Sequence, residues 1–148
     1  MFKNIIIASD LSPKAKIAAQ KAVQIAHQFN SKITVLNVHD EFMDKDEMEM
    51  LRVSVDEIQE KFREIAVEAK NEIKSMLSDL HANDIEVKVI LREGTPSKEI
   101  LSLARKINSD LIVMGTNGKD NLSDYFLGTT AENVISKADC PVLVVPMS

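Results

Sequence analysis

Gly115, Gly118 and Gly128, with the adjacent Thr129 and Thr130, are the residues whose types and spacing best suit a chemical task. The chain has only four glycines in 148 residues, and three fall in "GTNGKDNLSDYFLGTT" (115–130), directly after "DLIVM". A glycine ending a strand lets a ligand lie against the backbone, because no side chain intervenes. A glycine directly before a helix leaves free N–H groups and a positive dipole open to an anion. Two threonine hydroxyls at that point could add hydrogen bonds to phosphate oxygens or a metal-bound water. The spacing therefore suits a phosphate cradle. It suits a blander reading equally, with the glycines as turn formers and Thr129-x-x-Glu132 as a capping box closing the helix start. Spacing alone leaves both open.

Asp10 is the second candidate. It follows the apolar run "NIIIAS", where an acid could cap the next helix or reach a ligand; its place at the expected switch point of the sheet favours the ligand. Other chemistries find no support. There is no G-x-x-x-x-G-K-[ST] phosphate loop and no G-x-G-x-x-G dinucleotide signature. There is no G-x-S-x-G elbow of a serine hydrolase. His27, His39 and His81 lack metal-ligand spacing; His27 and His81 read as helix-surface residues, and His39 as a strand-end residue beside a pocket. A single cysteine, Cys140, excludes an internal disulfide and a multi-cysteine metal site, and before Pro141 it reads as a small buried residue. Met43, Met48 and Met50 lie in a stretch too irregular to fix a metal geometry. No residue is marked as catalytic: no general base stands beside Ser123, Thr129 or Thr130, and no arginine lies in the loop.

The elements that would position these residues alternate. "NIIIAS" (4–9), "SKITVLNV" (31–38), "IEVKVIL" (85–91), "DLIVMG" (110–115) and "CPVLVVP" (140–146) read as strands. Between them, Ser12–Pro13 and Thr95–Pro96 are N-cap and first-turn pairs that start helices. Ala15, Ala18, Ala19, Ala22, Ile25, Ala26 and Phe29 form one helical face, and Ile100, Leu101, Leu103, Ala104 and Ile107 another. Val55, Ile58, Phe62, Ile65, Ala69, Ile73, Met76 and Leu80 make a stripe too short and mixed for a coiled-coil seam, better suited to a long helix covering a sheet. "TTAENVISKA" is a short last helix. The expectation is one α/β domain over residues 1–148, a doubly wound, Rossmann-like, five-stranded parallel sheet with helices on both faces. Ligands of such sheets lie outside the carboxyl ends of the strands, where the strand order reverses.

The spacing G-x2-G-x9-G-[ST], filled by Gly115, Gly118, Gly128 and Thr129, resembles the ATP-binding motif of the universal stress protein family. The resemblance covers the whole chain: "NIIIASDLSPKAKIAAQKAVQIA" is similar to the family's first strand, Asp-x-Ser element and first helix. "GTPSKEIL" is similar to its G-x-P-x-x-x-I segment, and "ADCPVLVVP" to its closing strand. It implies ATP, or ADP or AMP, as ligand, with Mg²⁺ as a companion. Asp10 would contact the ribose or metal-phosphate region, with Ala8 and Ser9 on the same wall. The Val38 backbone would bond adenine, Met114 and Gly115 would flank the ribose, and Asn117, Gly118, Gly128, Thr129 and Thr130 would cradle the phosphates. It also implies a homodimer through the last strand, Pro141 to Val145, an apolar edge that otherwise invites aggregation. One departure stands out: Lys119 is followed by Asp120 and Asp124, where the family often carries basic residues, and acids near a triphosphate cost affinity unless they face solvent or bind Mg²⁺.

Composition sets the remaining bounds. Apolar residues are 45% and charged residues 28% of the chain, ordinary for a soluble globular domain that buries roughly 68–70% of its unfolded surface. A net charge of -5 and few aromatics argue against a nucleic-acid partner. The short apolar stretch before Asp10 is neither a signal-peptide core nor a membrane span, so a cytoplasmic protein is expected. The reading is a dimeric, adenine-nucleotide-dependent stress-response switch acting on an unidentified protein partner. A slow ATPase or autophosphorylating enzyme, and a scaffold that binds no nucleotide, are the alternatives.

Overall fold

Ile5, Ile6 and Ile7 are consecutive, β-branched and wholly buried, which a strand achieves only when helices cover both faces of its sheet. The computed structural model describes residues 1–12, 15–39, 52, 54–116 and 128–146. Along them run β1 (Asn4–Ala8), α1 (Ala15–Phe29), β2 (Lys32–His39), α2 (Val55–Asp79) and β3 (Val87–Glu93). These are followed by α3 (Pro96–Lys106), β4 (Leu111–Gly115), α4 (Thr129–Lys137) and β5 (Val142–Val145). The strands form one parallel sheet in the order β3-β2-β1-β4-β5. The chain winds outward from β1 through β2 to β3, then returns to β4 on the other side of β1. The order reverses between β1 and β4, which places the switch point beyond Ala8 and Gly115. The expected fold class is the one observed.

Strand alternation sorts the core into two layers. Ile5 and Ile7, with Ile33, Val35, Leu111 and Val113, face α1 and α2. Ile6, Leu36, Ile112 and Met114 face α3 and α4. Each fully buried side chain of this size contributes about 1.5–3 kcal/mol relative to exposure. The small residues Ala18, Ala19, Ala22 and Ala26 let α1 lie close to β1 and β4. Its buried face is rotated slightly from the expected one: Val23 is buried, Ile25 is only partly covered, and Phe29 is exposed and meets the edge of Phe2.

α2 covers the sheet as expected, burying Ala69, Ile73 and Leu77. Its start is fixed by a full capping box between Ser54 and Glu57. At 25 residues it is roughly 37 Å long, against about 26 Å for the eight residues of β2. Phe62 meets His39 at the carboxyl end of β2, so the turns before Phe62 extend past the strand ends. Ser12 caps α1 through the Ala15 amide at 3.3 Å. Thr95 occupies the N-cap position of α3 with Pro96 behind it, but its hydroxyl makes no cap bond. Pro13 lies outside the described residues. Among the described residues no helix is long and apolar enough to cross a membrane.

Candidate functional site

The β1 arm of the switch point is a turn closed by its own side chains. Ser9 is buried, and its N–H donates to the Leu36 carbonyl at 3.0 Å, extending the β1–β2 ladder past Ala8. The Leu11 amide donates to Ser9 Oγ at 3.3 Å, and the Ser12 amide to Asp10 Oδ1 at 2.9 Å. Leu11 sits at φ 63°, a left-handed conformation a leucine rarely adopts and one the surrounding bonds must impose. Asp10 is half-buried and commits one carboxylate oxygen to this turn. Part of the capping alternative is thereby realised, although the helix cap itself is Ser12.

The β4 arm is built on a close approach. The Thr116 amide donates to the Val145 carbonyl at 3.2 Å, and the Thr116 carbonyl accepts from the Gly128 amide at 2.8 Å. The chain therefore leaves β4 and returns to α4 at one place, bringing Gly115 and Gly128 together. Gly128 has φ -64° and ψ 156°, which any residue adopts. A Cβ there would stand 3.1 Å from the Thr116 carbonyl oxygen. Glycine is favoured at this position by the tight approach to Thr116, and not by a left-handed turn.

The capping box that spacing left open as the alternative, from Thr129 to Glu132, does not form with Thr129 as cap. Gly128 is the N-cap, Thr129 is already the first helical residue, and the cap position supplies no side-chain bond. The Glu132 amide bonds the Gly128 carbonyl at 3.0 Å as the first ordinary helical bond. A capping hydroxyl must come from the residue outside the first turn, and Thr129 stands one position too far in. Among the described residues no side-chain acceptor is recorded for the amides of Thr129, Thr130 and Ala131, and a helix start in this state suits an anion by geometry and dipole.

The other candidate residues collect at the same edge. Ala8, Val38 and Met114 belong to the α3/α4 layer, the layer that carries the start of α4. Val38 pairs in register with Arg92 of β3, whose guanidinium is bonded to Glu99 at 3.2 Å. Asn117 and Gly118 lie outside the described residues, as do Lys119, Asp120, Ser123, Asp124 and the methionines at 43, 48 and 50. Of the eleven expected positions, the sheet edge gathers Ala8, Ser9, Asp10, Val38, Met114, Gly115, Gly128, Thr129 and Thr130. Among the described residues, no group of three His, Cys, Asp or Glu side chains could hold a metal.

Two polar groups near the edge carry a buried atom without a partner; of these, His39 was expected at a strand end beside a pocket, and Asn37 was not singled out. Asn37 is 2% exposed; its Nδ2 donates to the Ser9 carbonyl at 2.8 Å, and its buried Oδ1 has no partner. The signal available in the sequence was an amide inside the apolar run "ITVLNV". His39, whose ring meets Phe62, likewise has a buried Nε2 without a partner. The remaining histidines are exposed, His27 pairing with Asp84 at 3.0 Å and His81 in the turn after α2 at φ 57°. Cys140 is far from this edge, at the start of β5. It is half-buried and not fully buried as expected, and burial pushes its thiol above the ordinary range, opposed by a hydrogen bond from Ser109. A thiol so placed is a poor nucleophile.

Residues 1–146 match the family model described as the universal stress protein family. Universal stress protein MJ0531 of Methanocaldococcus jannaschii is 35% identical over 147 residues, covering 98% of this chain and 82% of that protein. Universal stress protein MJ0577 of the same organism is 32% identical, covering 98% of this chain and 95% of that protein. A solved structure of MJ0577 superposes with a TM-score of 0.79, covering 98% of this chain and 96% of that one. Two more distant structures, each 22% identical, share the fold. One is a universal stress protein in complex with cAMP, TM-score 0.66, covering 99% of this chain and 98% of that one. The other is from Archaeoglobus fulgidus in complex with dAMP, TM-score 0.63, covering 97% of this chain and 98% of that one. On a match that runs from end to end of the described sheet and helices, this chain belongs to the universal stress protein family.

Proposed function

We propose that this protein binds an adenine nucleotide, ATP with Mg²⁺ foremost, at the switch point between β1 and β4, and acts as a nucleotide-dependent stress-response switch. The observation that carries the reading is the start of α4: a glycine N-cap that leaves three amides without a side-chain cap among the described residues, held by the Gly128–Thr116 bond beside the strand end. Family membership supports it, and the cAMP and dAMP complexes of more distant chains indicate that the fold can hold an adenine nucleotide. In this reading the phosphates lie on the amides of Thr129 and Thr130, with Asn117, Gly118 and Gly128 completing the cradle. Asp10 reaches the ribose or the metal-phosphate region beside Ala8 and Ser9. Met114 and Gly115 flank the ribose, and the Val38 backbone bonds the base.

Switching follows from a population shift: a ligand that prefers one arrangement of the edge loops raises its share and alters the surface offered to a partner. Among the described residues β5 is an edge strand, paired with β4, and a second copy joined along Pro141 to Val145 would cover that edge. Thermal melting with ATP, ADP, AMP and GTP, each with Mg²⁺, tests the nucleotide reading. A ligand at a hundred times its dissociation constant adds about 2.7 kcal/mol, which is about 5–10 °C for a chain of this size. A shift confined to adenine nucleotides and lost in Asp10→Ala is expected. No shift with any nucleotide would leave a scaffold. Light scattering with and without ATP reads the dimer.

A further inference from the structure

We propose that Asn37 is a positioning residue for the nucleotide site, the side chain that fixes the Ser9–Asp10 turn to the sheet. This rests on the nucleotide reading above and names what holds its acidic arm. Asn37 lies on the face of β2 that carries Ile33 and Val35, and an amide at 2% exposure among such residues is costly unless both its groups are bonded. Only one is. Nδ2 donates to the Ser9 carbonyl at 2.8 Å while Oδ1 remains unpartnered. A leucine of the same size would remove that cost entirely. What it would not supply is the bond to Ser9.

That bond has a particular place. The Ser9 amide is held by the Leu36 carbonyl and the Ser9 carbonyl by Asn37, so β2 grips both polar groups of the last residue before the turn. Among the described residues, the other side-chain bonds that shape the turn run inside it: Leu11 to Ser9 Oγ, Ser12 to Asp10 Oδ1, Ala15 to Ser12 Oγ. Leu11 at φ 63° stays in that conformation because its surroundings over-determine it. Release of the Ser9 carbonyl loosens the anchor, and the Asp10 carboxylate loses its aim while the sheet keeps its strands.

The test compares ATP·Mg²⁺ affinity by calorimetry for Asn37→Leu in the native and Asp10→Ala backgrounds, with Asn37→Ala as a second variant should leucine not fold. Amide hydrogen exchange at Leu11 and Ser12 is followed in parallel, with Ile112 of β4 as reference. The expected result is at least tenfold weaker binding in the native background and less than a twofold further change in the Asp10→Ala background. Exchange at Leu11 and Ser12 should rise at least tenfold while Ile112 is unchanged. Equal losses in both backgrounds, or faster exchange with affinity intact, would overturn the proposal. If the unsubstituted protein binds no ATP·Mg²⁺, the nucleotide reading fails on its own account; exchange then decides the anchoring, and unchanged exchange at Leu11 and Ser12 refutes it.

Discussion

Thr129→Ala separates two jobs a threonine can do at a helix start. If Thr129 were the N-cap, alanine would cost about 0.5–2 kcal/mol of stability. The structure places it inside the first turn, with Gly128 as cap and no side-chain bond from that cap position. Alanine then removes no N-cap bond, and its better helix propensity returns a few tenths of a kcal/mol. Stability without ligand should therefore change by less than about 0.5 kcal/mol, about 1–2 °C in a melt. Nucleotide binding should respond differently, since a hydrogen bond to a charged group contributes about 1.5–3 kcal/mol, or roughly ten- to a hundredfold in affinity. At a ligand concentration a hundred times the native dissociation constant, a tenfold weaker site lowers the ligand's contribution from about 2.7 to about 1.4 kcal/mol. Paired melts with and without ATP·Mg²⁺ read both quantities from one sample. Destabilisation above about 1 kcal/mol with the ligand contribution intact would show that Thr129 serves the helix and not the nucleotide.

Gly128→Val drives a branched side chain against the Thr116 carbonyl, which a Cβ alone already approaches to 3.1 Å; urea unfolding should show a loss of about 1–3 kcal/mol, and the ATP-dependent melting shift should disappear. Gly94→Ala should cost about 1–3 kcal/mol by the same measurement, because Gly94 sits at φ 142° and its Cβ would stand 3.1 Å from Glu99 Oε1. Cys140 supplies a pH dependence: burial raises its thiol above the ordinary value, so the stability held by the neutral form is complete below about pH 8.5 and is lost as pH rises through the higher folded value. Melting points taken from pH 7 to 10 should fall more steeply for the native protein than for Cys140→Ser.

The fold was legible because it is written in period. Ile5 to Ile7 and "DLIVM" are continuous apolar runs that only a doubly covered strand explains, and the helix starts carried Ser-Pro and Thr-Pro pairs. The site was legible only in part, and the failures have physical causes. The Thr-x-x-Glu pattern cannot say which residue stands outside the first turn, because glycine at 128 caps nearly as well as a hydroxyl; the bond from Gly128 to Thr116 settles it. Asn37 acts on Ser9, 28 positions away, and no local pattern encodes a contact made by strand register. The rotated face of α1 has a similar origin: a helix with alanines at 15, 18, 19, 22 and 26 presents a broad smooth surface, and the sheet decides whether Val23 or Ile25 is covered.

The two arms of the switch point are built in opposite ways, and the magnitudes explain why both can persist. The β1 turn is held by its own side-chain bonds, from the Leu11 amide to Ser9 Oγ and from the Ser12 amide to Asp10 Oδ1, with Leu11 in a costly conformation. Such an arm is ordered before any ligand arrives, so binding has little side-chain freedom left to remove. The start of α4 is left open instead. Closing it with serine or aspartate at 128 would return only a few tenths of a kcal/mol over glycine, and would force a Cβ against Thr116. An anion on the same amides gains charge-assisted bonds roughly twice as strong as neutral ones. On the proposed reading, leaving the start of α4 to a ligand costs the fold little, while filling it with a cap would remove most of what the site would offer an anion.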